Sequence, residues 1–208
     1  MSDLKFYDQG IFNTYLKEID KVLTDNIKVL DIGCGTGLVS NLFASRYCSE
    51  FTAIDFSNSI DFARLFAVEN NINNVKWIKE DFLEFETDEK YDVIICCGVL
   101  HHIPEYQKAL DKMKSLLTPG GTLVLAVYNK YGKILKKHIT INYQSNILYE
   151  DQENNPFELG FSHKEVLAMC NDLQFQIVTP SFFGKFVNLC GFFNPRNGGL
   201  VLYTFNNN

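Results

Sequence analysis

The six cysteines form no C-x-x-C pair, and no histidine stands at zinc-site spacing from them. The usual zinc motifs are therefore absent, no metal is expected, and reduced thiols in a cytoplasmic protein fit best. No apolar run approaches the ~18 residues that a bilayer span requires. The start, Met1-Ser2-Asp3-Leu4-Lys5, lacks a basic region followed by an apolar stretch, so no secretory signal is expected. Positive charge is in deficit: 19 Lys+Arg face 25 Asp+Glu, a net charge of −6. Strongly electrostatic nucleic-acid binders are usually basic, so generic DNA or RNA binding is disfavoured. With 5 prolines and 13 glycines, the chain shows neither a long linker nor an internal repeat.

What remains is the composition of an ordinary globular protein: 208 residues, 46% hydrophobic and 21% charged. One domain over residues 1–208 is the default, with ample length for a core. Charge is uneven, because 17 of the acids lie in residues 1–104 against 9 bases. Lys130, Lys133, Lys136 and Lys137 cluster within eight residues. A solvated helix face explains them most simply; a rim attracting an anionic substrate is the sharper reading.

Helical and extended patterns alternate. Ile11, Tyr15, Ile19 and Val22 form an amphipathic stripe. Lys28–Ile32 reads as a short buried strand, followed by a helical period through Leu38, Leu42 and Ser45. Strands at 51–54, 75–79, 91–97 and 122–128 follow, with helices at 60–70 and 106–117 between them. Pro119-Gly120-Gly121 stops the second of these helices. Ser162 with Glu165 is a capping box opening a further helix. Two last strands, 175–178 and 200–205, leave no room for another helix, which predicts a terminal antiparallel hairpin. The class is α/β, doubly wound, with a mostly parallel sheet. Ligands in such sheets bind beyond the carboxyl ends of the strands.

Those strand ends carry the informative residues. Asp31-Ile32-Gly33-Cys34-Gly35-Thr36-Gly37 follows the first strand. Glycines there permit a sharp turn and close ligand approach, and the next helix offers N–H groups to an anion. Leu38 stands where the dinucleotide fingerprint needs glycine, and no G-K-[ST] follows for a phosphate loop. Asp55 ends the second strand, where an acid can accept both hydroxyls of a ribose. Asp81 ends the third, where an acid can accept the exocyclic amine of adenine with Phe82 packing near the ring. Singly, each acid could be a turn residue. Together they would line one crevice.

At this point the sequence resembles the class I S-adenosylmethionine-dependent methyltransferases. Val29–Gly37 is similar to that family's first motif, Tyr91–Ile103 to its strand-four motif, and Leu117–Leu123 to its entry into strand five. The resemblance covers roughly residues 25–128. It implies a Rossmann-like sheet of seven strands with the last antiparallel, and S-adenosylmethionine as cofactor. Asp31, Gly33, Cys34, Gly35 and Gly37 would surround the methionine part of that cofactor. Asp55 would hold the ribose with Phe56 beside the adenine, Asp81 and Phe82 would hold the adenine, and Cys97 would line the floor near the sulfonium. Residues 1–25 would be a helical cover, with acceptor-side insertions at 129–161 and 181–199.

For the acceptor side, His101 and His102 are the candidate catalytic residues, with Tyr128 and Asn129 nearby. Helix capping or packing is the competing reading for the histidines. Relatives that methylate adenine or glutamine carry Asn/Asp-Pro-Pro-Tyr/Phe after strand four. Cys97-Gly98-Val99-Leu100 stands here instead, which counts against those substrates. Phe182, Phe183, Phe186, Phe192 and Phe193 could cover a pocket for a small organic acceptor, pack in the core, or form a dimer contact. The expectation is methyl transfer to a small molecule, with oxygen favoured. A protein or RNA acceptor, a nicotinamide-dependent oxidoreductase and a non-catalytic cofactor-binding module stay open as alternatives.

Overall fold

The computed structural model describes residues 11–130, 159–180 and 200–207. In chain order the elements are α1 (Ile11–Asp20), β1 (Lys28–Ile32), α2 (Leu38–Ala44), β2 (Glu50–Ile54), α3 (Ser59–Glu69) and β3 (Val75–Ile78). They continue as β4 (Tyr91–Cys97), a 3-10 turn at Leu100–His102, α4 (Tyr106–Leu116), β5 (Leu117–Tyr128), α5 (His163–Met169), β6 (Gln174–Pro180) and β7 (Leu200–Asn206). The strands form one seven-stranded sheet in the order β3-β2-β1-β4-β5-β7-β6. Pairs β1–β2, β1–β4, β2–β3 and β4–β5 are parallel, whereas β7 runs antiparallel to both β5 and β6. The terminal hairpin and the mostly parallel, doubly wound sheet are as the periodicity predicts. The order reverses between β1 and β4, so the crevice of such a sheet lies at their carboxyl ends.

The central strands are apolar without alternation because both faces are covered. Along β4, Ile94 and Cys96 face one core with Leu110, Met113 and Val166. Val93 and Ile95 face the other, with Tyr15, Ile19, Leu42 and Phe43. Successive side chains on a strand point to opposite faces, so one continuous run feeds both cores. Ser162 caps α5 as expected: its Oγ accepts from Glu165 N–H at 3.2 Å, and Glu165 Oε2 accepts from Ser162 N–H at 2.6 Å.

Strand β5 starts earlier than predicted. Leu117 already pairs with Tyr91, and the register shifts between Tyr91 and Val93. Pro119-Gly120-Gly121 therefore bulges within a strand rather than preceding one. The insertions expected at 129–161 and 181–199, the cover over residues 1–10, and the lysines from Lys133 to Lys137 fall largely or wholly outside the described residues. So do the five phenylalanines between Phe182 and Phe193. Among the described residues, no helix is long and apolar enough to cross a membrane.

Candidate functional site

The turn after β1 is pinned to the end of β2. The N–H groups of Gly33 and Cys34 both donate to the carbonyl of Ile54, at 2.7 and 3.0 Å. Gly33 has φ +66, and a Cβ on it would lie 2.2 Å from Cγ2 of Val99. Glycine is therefore required there on two counts, conformation and contact. Gly35 differs: φ is +53, but nothing lies within 4 Å of where a Cβ would stand. Its outer face is the open floor of a cradle that a ligand can approach at main-chain distance. Gly37 closes the turn, its N–H donating to Cys34 O at 2.8 Å.

The three acids occupy different environments. Asp55 is half-buried and bound at both oxygens: Oδ2 accepts from Gly35 N–H at 2.7 Å and Oδ1 from Ser57 N–H at 2.8 Å. Each carboxylate oxygen retains lone-pair capacity for a second donor. Asp31 is buried, and Ser40 Oγ donates to its Oδ2 at 2.6 Å. Burial pushes its carboxyl up from 3.8 to about 6; hydrogen bonding from Ser40 pulls it back, and the charge of Asp55 raises it further. Asp81 is exposed at the end of β3, where its Oδ1 accepts from Leu83 N–H at 2.8 Å.

The aromatic neighbours divide. Phe56 stands 75% exposed beside Asp55, available to a flat ligand. Phe82 does not. Its ring is in the core with Phe85, under Lys112 Nζ at 5.1 Å from the centroid. That Nζ donates to the carbonyls of Phe82 and Leu83, fixing the turn with the ring inward. The side chain expected beside adenine is thus packed in the core.

Beyond β4, Cys97 is half-buried, and burial holds its thiol well above the usual range. The histidine pair is split. His101 is fully buried, its ring 3.9 Å from that of Tyr128, with Nδ1 accepting from Tyr128 N–H at 3.4 Å. Desolvation, assisted by His102, lowers its pKa to about 3. Its neutral ring packs against that of Tyr128 inside the protein. His102 is half-buried, at right angles to Tyr128. Asn129 is buried, in a bridge with Phe161.

Two residues near this site carried no sequence signal of the bonds they make. Tyr15 reaches from α1 to donate its hydroxyl to Leu200 O at 2.6 Å, close enough to Cys97 for that thiol to help raise its pKa. Ser40 holds Asp31. Tyr15 belonged to a helical stripe and Ser40 lay within a helical segment, which marks a helix but not what its side chains meet.

Comparison with known proteins gives this geometry a class. The family described as "Methyltransferase domain" matches residues 23–177, and the chain belongs to it. It carries a class I, Rossmann-like methyltransferase domain. A curated relative, "Ubiquinone biosynthesis O-methyltransferase" of Rickettsia bellii (strain OSU 85-389), is 34% identical over 110 residues. That alignment covers 52% of this chain and 45% of the relative, so the chain spans about half the length of the curated relatives it matches. Among solved structures, N-methyltransferase NodS of Bradyrhizobium japonicum WM9, in complex with S-adenosyl-L-homocysteine, superposes with TM-score 0.69 at 17% identity. That match covers 98% of this chain and 90% of NodS. The [4+2]-cyclase SpnF has the same fold, with TM-score 0.68 at 15% identity over 94% of this chain and 81% of its own. Fold alone thus does not fix the reaction. The cofactor fits the residues present: an open main-chain cradle at Gly35, a two-oxygen acceptor at Asp55, and an exposed ring at Phe56.

Proposed function

We propose that the protein transfers a methyl group to an oxygen of a small organic molecule. The observation that carries this reading is the joining of the open glycine turn to Asp55 through the 2.7 Å Gly35–Asp55 bond. One rigid cradle then offers a main-chain surface and a carboxylate to the same ligand. The name of the curated relative favours oxygen, and Cys97–Leu100 lacks the prolines that mark relatives methylating adenine or glutamine.

Bound S-adenosylmethionine supplies an electrophilic methyl group on a good leaving sulfur. The protein's part is chiefly alignment, which supplies much of the acceleration in such displacements. Asp55 accepts the ribose hydroxyls and Phe56 covers the adenine. Asp81 and the main chain of Phe82 receive the adenine edge. Asp31, Gly33, Cys34, Gly35 and Gly37 surround the methionine part, and Cys97 lines the floor. On the acceptor side, half-buried His102 is the member of the pair we assign to the substrate. Proton removal by such a side chain contributes typically 10²–10⁴-fold where the acceptor must lose a proton early. A cytoplasmic setting and a single domain over residues 1–208 belong to the same reading. The free thiols of Cys34 and Cys97 beside the cradle suit a reducing compartment.

Calorimetry tests the cofactor half: S-adenosylhomocysteine should bind in the micromolar range and NADH should not. A methyl-transfer screen with small phenols, carboxylic acids, amines, RNA and protein tests the acceptor half. Transfer to the amines, RNA or protein, with none to oxygen compounds, would overturn the proposed acceptor.

A further inference from the structure

Asp31 lies at the end of the central strand, under the glycine turn. It is 3% exposed, and the Ser40 hydroxyl donates to its Oδ2 at 2.6 Å. Ser40 is itself 0% exposed and sits on α2, nine residues further on. The titratable groups facing Asp31 are Asp55 from the end of β2, Cys34 from the turn, and Cys96 and Cys97 from β4. None is a cation. A buried carboxylate among an acid and thiols stays ionised only if a donor supports the charge.

We propose that Ser40 is a positioning residue that holds Asp31 as an anion in a fixed rotamer, so that the crevice presents a negative charge to the cationic end of the cofactor. This rests on the assignment of S-adenosylmethionine to the crevice; that molecule carries an ammonium and a sulfonium. Ser40 does not touch the cofactor. It acts through Asp31, and its hydroxyl matters most in the pH range where Asp31 is close to protonation. Burial places that range near neutrality, about 6. The sign follows. A cation bound beside Asp31 selects the ionised form, so affinity rises as pH passes upward through the Asp31 titration and then levels. Without the Ser40 hydroxyl the titration moves up, and the rise in affinity moves with it. A hydrogen bond to a charged group contributes enough to shift affinity roughly tenfold at a pH below the titration.

The test compares wild type, Ser40→Ala and Ser40→Thr. Calorimetry with S-adenosylhomocysteine, which keeps the ammonium, runs from pH 5.5 to 8.5. Carboxyl NMR follows Asp31 in each variant without cofactor. The expected result is a titration displaced upward by about one pH unit in Ser40→Ala. Its affinity should be about fivefold lower near pH 6, approach tenfold lower towards pH 5.5 and recover towards pH 8.5, and Ser40→Thr should restore the wild-type curve. Affinity lost by one factor at every pH would mean packing alone and would overturn the proposal. So would an Asp31 titration that does not move in Ser40→Ala, whatever the cofactor does. Failure of wild type to bind at any pH would overturn the cofactor assignment itself, and the NMR result distinguishes the two.

Discussion

The main-chain N–H of Gly35 donates to Oδ2 of Asp55 across 2.7 Å, tying the turn after β1 to the end of β2. The bond needs the strand pairing that brings Ile32 opposite Ile54, and it needs the turn in which Gly33 and Cys34 share the Ile54 carbonyl. The carboxylate is therefore oriented before any ligand arrives. Preorganisation of this kind lowers the cost of binding.

The first prediction tests that carboxylate. Asp55→Asn keeps the shape but removes the charge, and each charge-assisted bond it loses contributes roughly 1.5–3 kcal/mol. Cofactor affinity should fall about tenfold or more by calorimetry, with the circular-dichroism spectrum unchanged. Unaltered affinity would reduce Asp55 to a turn residue.

Asp31 allows a second prediction with a defined sign. Its pKa is raised on folding, so the native state holds its proton more tightly than the unfolded chain does. Its contribution to stability is complete below about 3.8 and is lost as pH rises through about 6. Asp31→Asn, resembling the protonated acid, should stabilise the cofactor-free protein at pH 7.5. The rise from 3.8 to about 6 bounds the gain at about 3 kcal/mol. At pH 4 the gain should shrink towards zero, and cofactor affinity should drop at pH 7.5. Denaturant melts at the two pH values decide this; an equal effect at both would remove the electrostatic explanation.

The third prediction separates conformation from contact at Gly33. Alanine there suffers the left-handed backbone, roughly 1–2 kcal/mol, and also a 2.2 Å approach to Val99 Cγ2. Gly33→Ala should destabilise the protein strongly and weaken the cofactor. Adding Val99→Ala should recover the contact part, but not the backbone part, of the lost stability. Purely additive losses in the double variant would show that Val99 is not the obstacle.

How much of this was legible follows from how local each signal is. The glycine turn and the acids at 31, 55 and 81 could be read because strand, turn and acid adjoin in sequence and the fold repeats that unit. The capping box at Ser162 is local in the same way. Phe82 misled because adjacency to Asp81 does not fix which way a ring points; Lys112, thirty residues on, holds that turn with the ring inward. Ser40 and Tyr15 were silent for the complementary reason. Their partners Asp31 and Leu200 are chosen by tertiary packing, and in the second case lie 185 residues apart. The early start of β5 is also tertiary, since Leu117 pairs with Tyr91 across the sheet before the Pro119-Gly120-Gly121 turn is reached.

The last prediction concerns the histidine pair, which sequence alone could not divide. His101 is fully buried, and its Nδ1 accepts from Tyr128 N–H, so the ring proton sits on Nε2. That Nε2 is buried and has no hydrogen-bond partner among the described residues. Leaving such a group unpaired costs roughly 1–3 kcal/mol. His101→Phe removes the unpaired donor while keeping a ring against Tyr128, so it should be near neutral or stabilising. His101→Ala removes the ring as well and should cost roughly 2–4 kcal/mol, as large-to-small core changes do. The pH behaviour gives an independent reading. With its pKa lowered to about 3 by desolvation, His101 should keep its ring NMR resonances unshifted from pH 8 down to pH 4. The same lowering means that His101 binds its second proton more weakly in the native state than in the unfolded chain. Its contribution to stability is therefore present above the ordinary value of 6.5 and is lost as pH falls through about 3. In melts between pH 7 and pH 4, the His101→Phe variant should accordingly lose less stability on acidification than wild type. A His101 ring that titrates near neutrality would instead restore it as a candidate base beside His102.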